Sequence, residues 1–91
     1  MGSRTNEQHG QLLKELNEER LAALTRISGT LEALIAQLRE ERDPDKHEDL
    51  RRRAHKYRWY LEVQREALGI RHHRMLDELY EIPSPAVNPE R

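Results

Sequence analysis

The sequence has no cysteine, no phenylalanine, only four glycines and no long run of apolar residues. Without cysteine, the chain can form neither a disulfide nor a thiolate metal site. No apolar run approaches the ~20 residues that a membrane-spanning helix needs, and the first residues contain no apolar signal region. We therefore expect a cytoplasmic protein that makes no use of a membrane.

Charge and helix-forming residues are abundant instead. Charged residues make up 36% of the chain and hydrophobic residues 35%, and the formal net charge is -1. The abundant Leu, Glu, Arg and Ala favour helices over sheets. A chain of this length with so little apolar material forms only a marginal core by itself, so we expect long helices that associate. The small net charge argues against a strong overall attraction to nucleic acid or acidic membranes.

Two helical patterns are separated by the short segment RDPDK. Pro44 is tolerated in the first turn of a helix, and Asp43 before it is a favourable N-cap. Three of the four prolines lie in the last nine residues, which therefore cannot continue a helix. The predicted boundaries are a disordered N-terminus at 1–5, a helical hairpin at 6–82 with helices at about 6–41 and 45–81 and a turn at about 42–44, and an extended proline-rich tail at 83–91.

Apolar residues recur at spacings of three and four along both patterns, as on one face of a helix. Because the connection is so short, the helices should fold back as an antiparallel, coiled-coil-like hairpin, and residues whose numbers sum to roughly 88 should face each other. Ile27 would then lie opposite Leu61, and Leu13 opposite Met75. The first stripe consists of Leu13, Leu16, Leu24, Ile27, Leu31, Leu34 and Leu38, and the second repeats every seven residues at Ala54, Leu61, Leu68, Met75 and Ile82.

Gly69 interrupts the second pattern without changing its phase. We interpret it as a tolerated weak point that costs roughly 1 kcal/mol relative to alanine. The alternative is that Gly69 ends the helix and a short third helix begins near Arg71.

The stretch RRRAHKYRWYLEV, residues 51–63, combines a basic cluster with aromatic residues. At 100° per residue its basic side chains scatter around the helix, which is typical of a solvated surface. We expect Arg51, Arg58 and Arg65 to pair with acids of the first helix, such as Glu32, or with a partner. The alternative is that the cluster contacts an anion or nucleic acid, through Arg51, Arg52, Lys56 and Arg58.

A second apolar stripe lies more than about 100° around the same helix from the hairpin face. A two-helix hairpin cannot cover this stripe itself, so it predicts a protein interface. A second copy would complete a four-helix bundle with two-fold symmetry. The other occupants are a different protein or, for the two aromatic residues at its start, the proline-rich tail. The predicted interface residues are Trp59, Tyr60, Val63, Ala67 and Ile70.

Polar residues also occur on the predicted apolar faces. We predict a polar core layer that fixes the register of the helices, as single polar residues do in coiled coils. The alternatives are a pocket for a carboxylate or phosphate, or an Arg20 that extends past a loosely packed end. The layer consists of Asn17, Arg20, Gln64 and Arg71.

Signatures of catalysis and metal binding are missing. The chain has five histidines but no Glu-x-x-His pair, and it has no glycine-rich phosphate loop and no H-E-x-x-H or G-x-S-x-G motif. We therefore expect no catalytic residue, no metal and no cofactor. The predicted function is a small non-enzymatic helical module, an adaptor, chaperone or regulator, that binds another protein and acts as a homodimer. The alternative is a nucleic-acid-binding regulator that uses the basic cluster.

Overall fold

The computed structural model describes the backbone of residues 2–85 and the side chains of residues 8–85. This part of the chain contains no strand and three helices, namely α1 (Gly2–Glu40), α2 (Pro44–Ala67) and α3 (Arg74–Leu79). The two long helices pack against each other, which confirms the predicted all-α helical hairpin. None of these helices combines the length with the apolar character that crossing a membrane requires.

The turn between the long helices follows from local chemistry. Asp43 adopts an extended conformation, with φ -76° and ψ 120°, and Pro44 occupies the first position of α2. The Asp43 carboxylate accepts hydrogen bonds from the backbone N–H groups of Asp45, at 2.9 Å, and Lys46, at 3.5 Å. These donors have no partner within the helix, so the side chain fixes the point at which α2 begins.

The core lies in the half of the hairpin nearest the turn. Its largest fully buried side chains are three leucines, and fully burying one leucine stabilises the fold by roughly 1.5–3 kcal/mol. Half-buried side chains, among them Leu50 and Tyr57, pack around this cluster. The buried residues are Leu31, Leu34, Ile35 and Leu38 of α1, Ala54 and Leu61 of α2, and Leu76 of α3.

The prediction of one continuous helix over 45–81 is wrong, because α2 ends at Ala67. The backbone N–H of Gly69 donates to the carbonyl of Glu66, and that of Ile70 donates to the carbonyl of Arg65, both at 2.9 Å. This pair of bonds is the Schellman motif, which needs a left-handed residue, and Gly69 supplies it with φ 88°. The structure agrees with the alternative prediction, in which Gly69 ends the helix and a short third helix follows. This helix, α3, begins at Arg74 and not near Arg71.

The chain beyond Gly69 turns back along the hairpin. Leu76 of α3 is only 3% exposed, and Tyr80 and Ile82 pack against the same core. The predicted contact of Leu13 with Met75 is therefore wrong, since these side chains are 46% and 59% exposed. The seven-residue repeat fails at this point because it presumes an unbroken helix, whereas the break at Gly69 lets Leu76 replace Met75 in the core.

The first helix begins at Gly2 and extends well past the end of α2. Residues 2–5 are therefore helical and not disordered as predicted, since extending an existing helix costs little once it has nucleated. At 1.5 Å per residue, α1 is about 58 Å long and α2 about 36 Å. Residues 83–85 lie outside any helix, and the rest of the predicted tail, 86–91, lies outside the described residues.

Candidate interaction surface

Five predicted interface residues of the second stripe lie on or just beyond α2, and we call them the α2 patch. Trp59 is 59% exposed, Val63 40% and Ile70 38%. Ala67 is also exposed, and Tyr60 is half-buried. The two buried core residues of α2, Ala54 and Leu61, point in another direction. The described part of the chain therefore leaves the α2 patch open to solvent, as its position on the helix predicts.

The aromatic side chains of this region form a connected group. The ring centroids of Trp59 and Tyr60 are 5.5 Å apart, and the rings are tilted by 50°. Tyr60 meets Tyr57 edge to face, also at 5.5 Å, and Tyr57 packs against the core. Lys56 Nζ lies 5.8 Å from the centroid of the Tyr60 ring. Such contacts restrict the rings before any partner binds, which lowers the entropy that binding would cost.

The returning chain lies on a different side of α2 from the patch. A shallow cleft is lined by His55 and Arg58 of α2 together with Asp77 and Tyr80 of the returning chain. The returning chain therefore packs beside Arg58 at Asp77 and Tyr80, and Trp59 is 59% exposed among the described residues. Most of the proline-rich tail, 86–91, lies outside these residues, so its predicted contact with the two aromatic residues stays a prediction.

Arg51 is held by its own helix. Its guanidinium donates to both carboxylate oxygens of Glu48, at 3.0 and 3.3 Å. Its Nη1 also lies 3.1 Å from Nε2 of His55. The hydrogen bond from Arg51 lowers the pKa of Glu48 below its ordinary value, although burial acts in the opposite direction.

Arg58 and Arg65 join α2 to the returning chain. Arg58 donates to Glu62 at 2.7 Å and to Asp77 at 2.8 Å, and its side chain is only 13% exposed. Arg65 donates to the carbonyl of His72 at 2.8 Å. The expected pairing of these arginines with acids of the first helix is not observed, because Arg51 pairs with Glu48 of its own helix. Arg58 and Arg65 contact the segment that folds back after Gly69.

The basic cluster predicted as a nucleic-acid contact is divided by these pairings. Arg51 and Arg58 are engaged with carboxylates, whereas Arg52 and Lys56 are exposed on the side of the α2 patch. The four side chains therefore do not line one groove.

The four residues of the predicted polar core layer are not brought together. Arg20 and Gln64 are half-buried, Asn17 and Arg71 are exposed, and no polar side chain is buried among the described residues. Arg20 Nη1 donates to the carbonyl of Ala67 at 3.2 Å. A cation here satisfies a carbonyl at the C-terminal end of α2, where the helix dipole is negative. Arg20 can play this role only because α2 ends at Ala67, and Gly69 was the only sequence signal for the end of that helix.

Sequence reasoning also missed a second exposed apolar region. The N-terminal part of α1, residues 2–19, extends past Arg20 and the end of α2, and we call it the α1 overhang. Its leucines Leu12, Leu13 and Leu16 are 63%, 46% and 40% exposed. Two of them were expected in the hairpin core, and they are exposed because α2 stops before reaching them.

The described residues contain no group of three or more His, Asp or Glu side chains that could hold a metal ion. No protein-family model, curated protein or solved structure matches this chain. Its function is therefore inferred from the surface of the molecule alone.

Proposed function

We propose that the chain is a small non-enzymatic helical protein-interaction module, an adaptor, chaperone or regulator of the cytoplasm, that acts as a homodimer. Two hairpins would associate through the α2 patch and form a four-helix bundle. The observation that carries this proposal is the exposure of a connected aromatic and apolar surface, with Trp59 at 59%, on a face that the hairpin does not use. The outer faces of the bundle would remain available to another protein.

Two physical arguments support the proposal. Tyrosine and tryptophan are enriched at protein interfaces, because they combine a large apolar area with a polar group. Among the described residues, seven apolar side chains are buried in the core of one hairpin, so covering a further apolar face would stabilise this small core. The pairing of Arg51 and Arg58 with carboxylates gives no added support to the nucleic-acid alternative.

The proposal is tested by the mass in solution, measured by light scattering across a tenfold or greater dilution. The wild-type protein should have about twice the monomer mass of 10.9 kDa at high concentration. Val63→Glu places a charge in the α2 patch and should give a monomer that remains helical by circular dichroism. Leu21→Glu is the matched control, because Leu21 is 55% exposed on α1 outside the patch, and it should associate like wild type.

Two outcomes would contradict the proposal. A wild-type protein that stays monomeric at every concentration would exclude self-association as its mode of action. A Val63→Glu variant that remains dimeric would show that the interface lies elsewhere, and the α1 overhang would then be the next surface to test.

A further inference from the structure

Charges are unevenly distributed along the α2 patch. Arg52 and Lys56, at its N-terminal end, are both exposed. Glu66, at its C-terminal end, has a side chain that is 58% exposed. Trp59 and Val63 lie between the two ends. Within α2, this face therefore has basic residues at its N-terminal end, an acidic residue at its C-terminal end and apolar side chains between them. Beyond the end of the helix, the exposed Arg71 lies close to Glu66.

We infer that two copies pair through α2 in an antiparallel arrangement, with a two-fold axis between the two helices at the level of residue 61. This inference rests on the proposed function and specifies the geometry of its dimer. Residues whose numbers sum to about 122 then face each other across the interface. Trp59 of one copy faces Val63 of the other, and Lys56 faces Glu66.

The charge pattern distinguishes this arrangement from a parallel one. In a parallel two-fold pair each residue faces its own copy, so Lys56 would face Lys56 and Glu66 would face Glu66. Like charges opposed across an interface are unfavourable, whereas opposite charges guide association and fix the register.

Among the residues that the structure describes, the surroundings of α2 leave room for a second copy. The first helix packs on the face of α2 that contains Ala54 and Leu61, and the returning chain lies beside Arg58. Trp59 and Val63 lie on another face and are exposed, and the returning chain meets this face at Glu66. Nε2 of His73 lies 3.1 Å from Oε1 of Glu66, which steadies this carboxylate while its other oxygen can accept from a lysine.

The geometry also limits the size of the interface. A two-fold axis at residue 61 superimposes the span 55–67 of one α2 on that of the other, a helical overlap of about 20 Å. Such a short overlap buries less surface than a standard stable interface, and weak complexes lie in this lower range. The dimer should therefore dissociate measurably on dilution.

Charge reversal tests the arrangement, with the dimer dissociation constant measured by sedimentation or light scattering at low salt. Lys56→Glu alone and Glu66→Lys alone should each weaken self-association, by roughly tenfold if the two like-charge contacts that each variant creates together cost about 1.4 kcal/mol. The double variant should restore it, because each reversed pair is again complementary. Lys14→Glu, at an exposed position of the α1 overhang, is the control for net charge and should dimerise like wild type.

The outcomes separate this inference from the proposed function. If wild type dimerises but the single reversals have no effect, the proposed function stands and the antiparallel arrangement is wrong, since a parallel dimer exchanges one like-charge pair for another. If the singles weaken the dimer and the double variant does not recover, the Lys56–Glu66 pairing is refuted. A monomeric wild type overturns both.

Discussion

Leu76 should be the residue that holds the returning chain against the hairpin. It is 3% exposed and belongs to the core, whereas the other main link from α3 is the ion pair between Asp77 and Arg58 at 2.8 Å. Truncating a buried leucine to alanine costs about 2–5 kcal/mol. The ion pair is worth only about 0–1 kcal/mol, because the Asp77 side chain is 79% exposed and screened by water. Hydrophobic burial should therefore outweigh the ion pair.

The perturbation is Leu76→Ala, and the assay is native-state hydrogen exchange resolved by residue. The amide of Tyr80 donates to the carbonyl of Leu76 at 2.9 Å, so its protection reports whether α3 is docked. A loss of at least about 2 kcal/mol should speed its exchange by roughly 30-fold or more. The amide of Leu61 in α2 should change much less, because the contacts between the two long helices remain.

Asp77→Asn is the comparison variant, because it tests the ion pair with Arg58 and not the burial of Leu76. It removes the charge but keeps the shape of the side chain, and it should speed exchange at Tyr80 by about fivefold or less. The reasoning is refuted if Asp77→Asn has the larger effect, or if Leu76→Ala leaves the Tyr80 amide as protected as in wild type. Either result would mean that the burial of Leu76 is not the main contact that holds the returning chain, which also packs on the core through Tyr80 and Ile82.

Two further predictions concern the ends of α2 and are measured by urea denaturation. Asp43→Ala removes the N-cap and should lower the free energy of unfolding by about 1 kcal/mol, whereas Asp43→Asn keeps a capping oxygen and should be nearly neutral. Gly69→Ala should lower the free energy of unfolding by about 1–2 kcal/mol, because alanine is strained at φ 88° even though its Cβ would meet nothing within 4 Å. Gly29→Ala, in the middle of α1, should instead stabilise by about 0.5–1 kcal/mol, so that equal signs for the two glycines would contradict this interpretation.

Much of the architecture could be predicted from local sequence signals. Asp43 and Pro44 mark the start of α2 because a carboxylate cap and a pre-set φ act within a few residues of the chain. Ile27, Leu31 and Leu34 fall on one face because helical geometry converts their spacing directly into direction. The position of the α2 patch followed from the same geometry.

Local sequence signals could not predict whether Gly69 lies inside a helix or ends one. A glycine inside a helix and a glycine that ends one differ locally by only about 1 kcal/mol. The conformation at Gly69 depends instead on distant contacts. It is set by whether burying Leu76 in the core stabilises the fold more than packing Met75 against Leu13 would. The roles of Arg20 at the end of α2 and of Arg58 beside Asp77 depend on the same choice.

The sequence by itself thus determined that this chain forms two amphipathic helices, where the turn between them lies and which face of α2 its partner helix cannot cover. These properties depend on residue spacing and on caps that act over one or two helical turns. The tertiary structure alone decided that α2 stops at Ala67, that the chain returns to bury Leu76, and that Leu12, Leu13 and Leu16 of the α1 overhang stay exposed. Those properties depend on contacts between residues far apart in the chain, whose burial energy exceeds the small local preferences at Gly69.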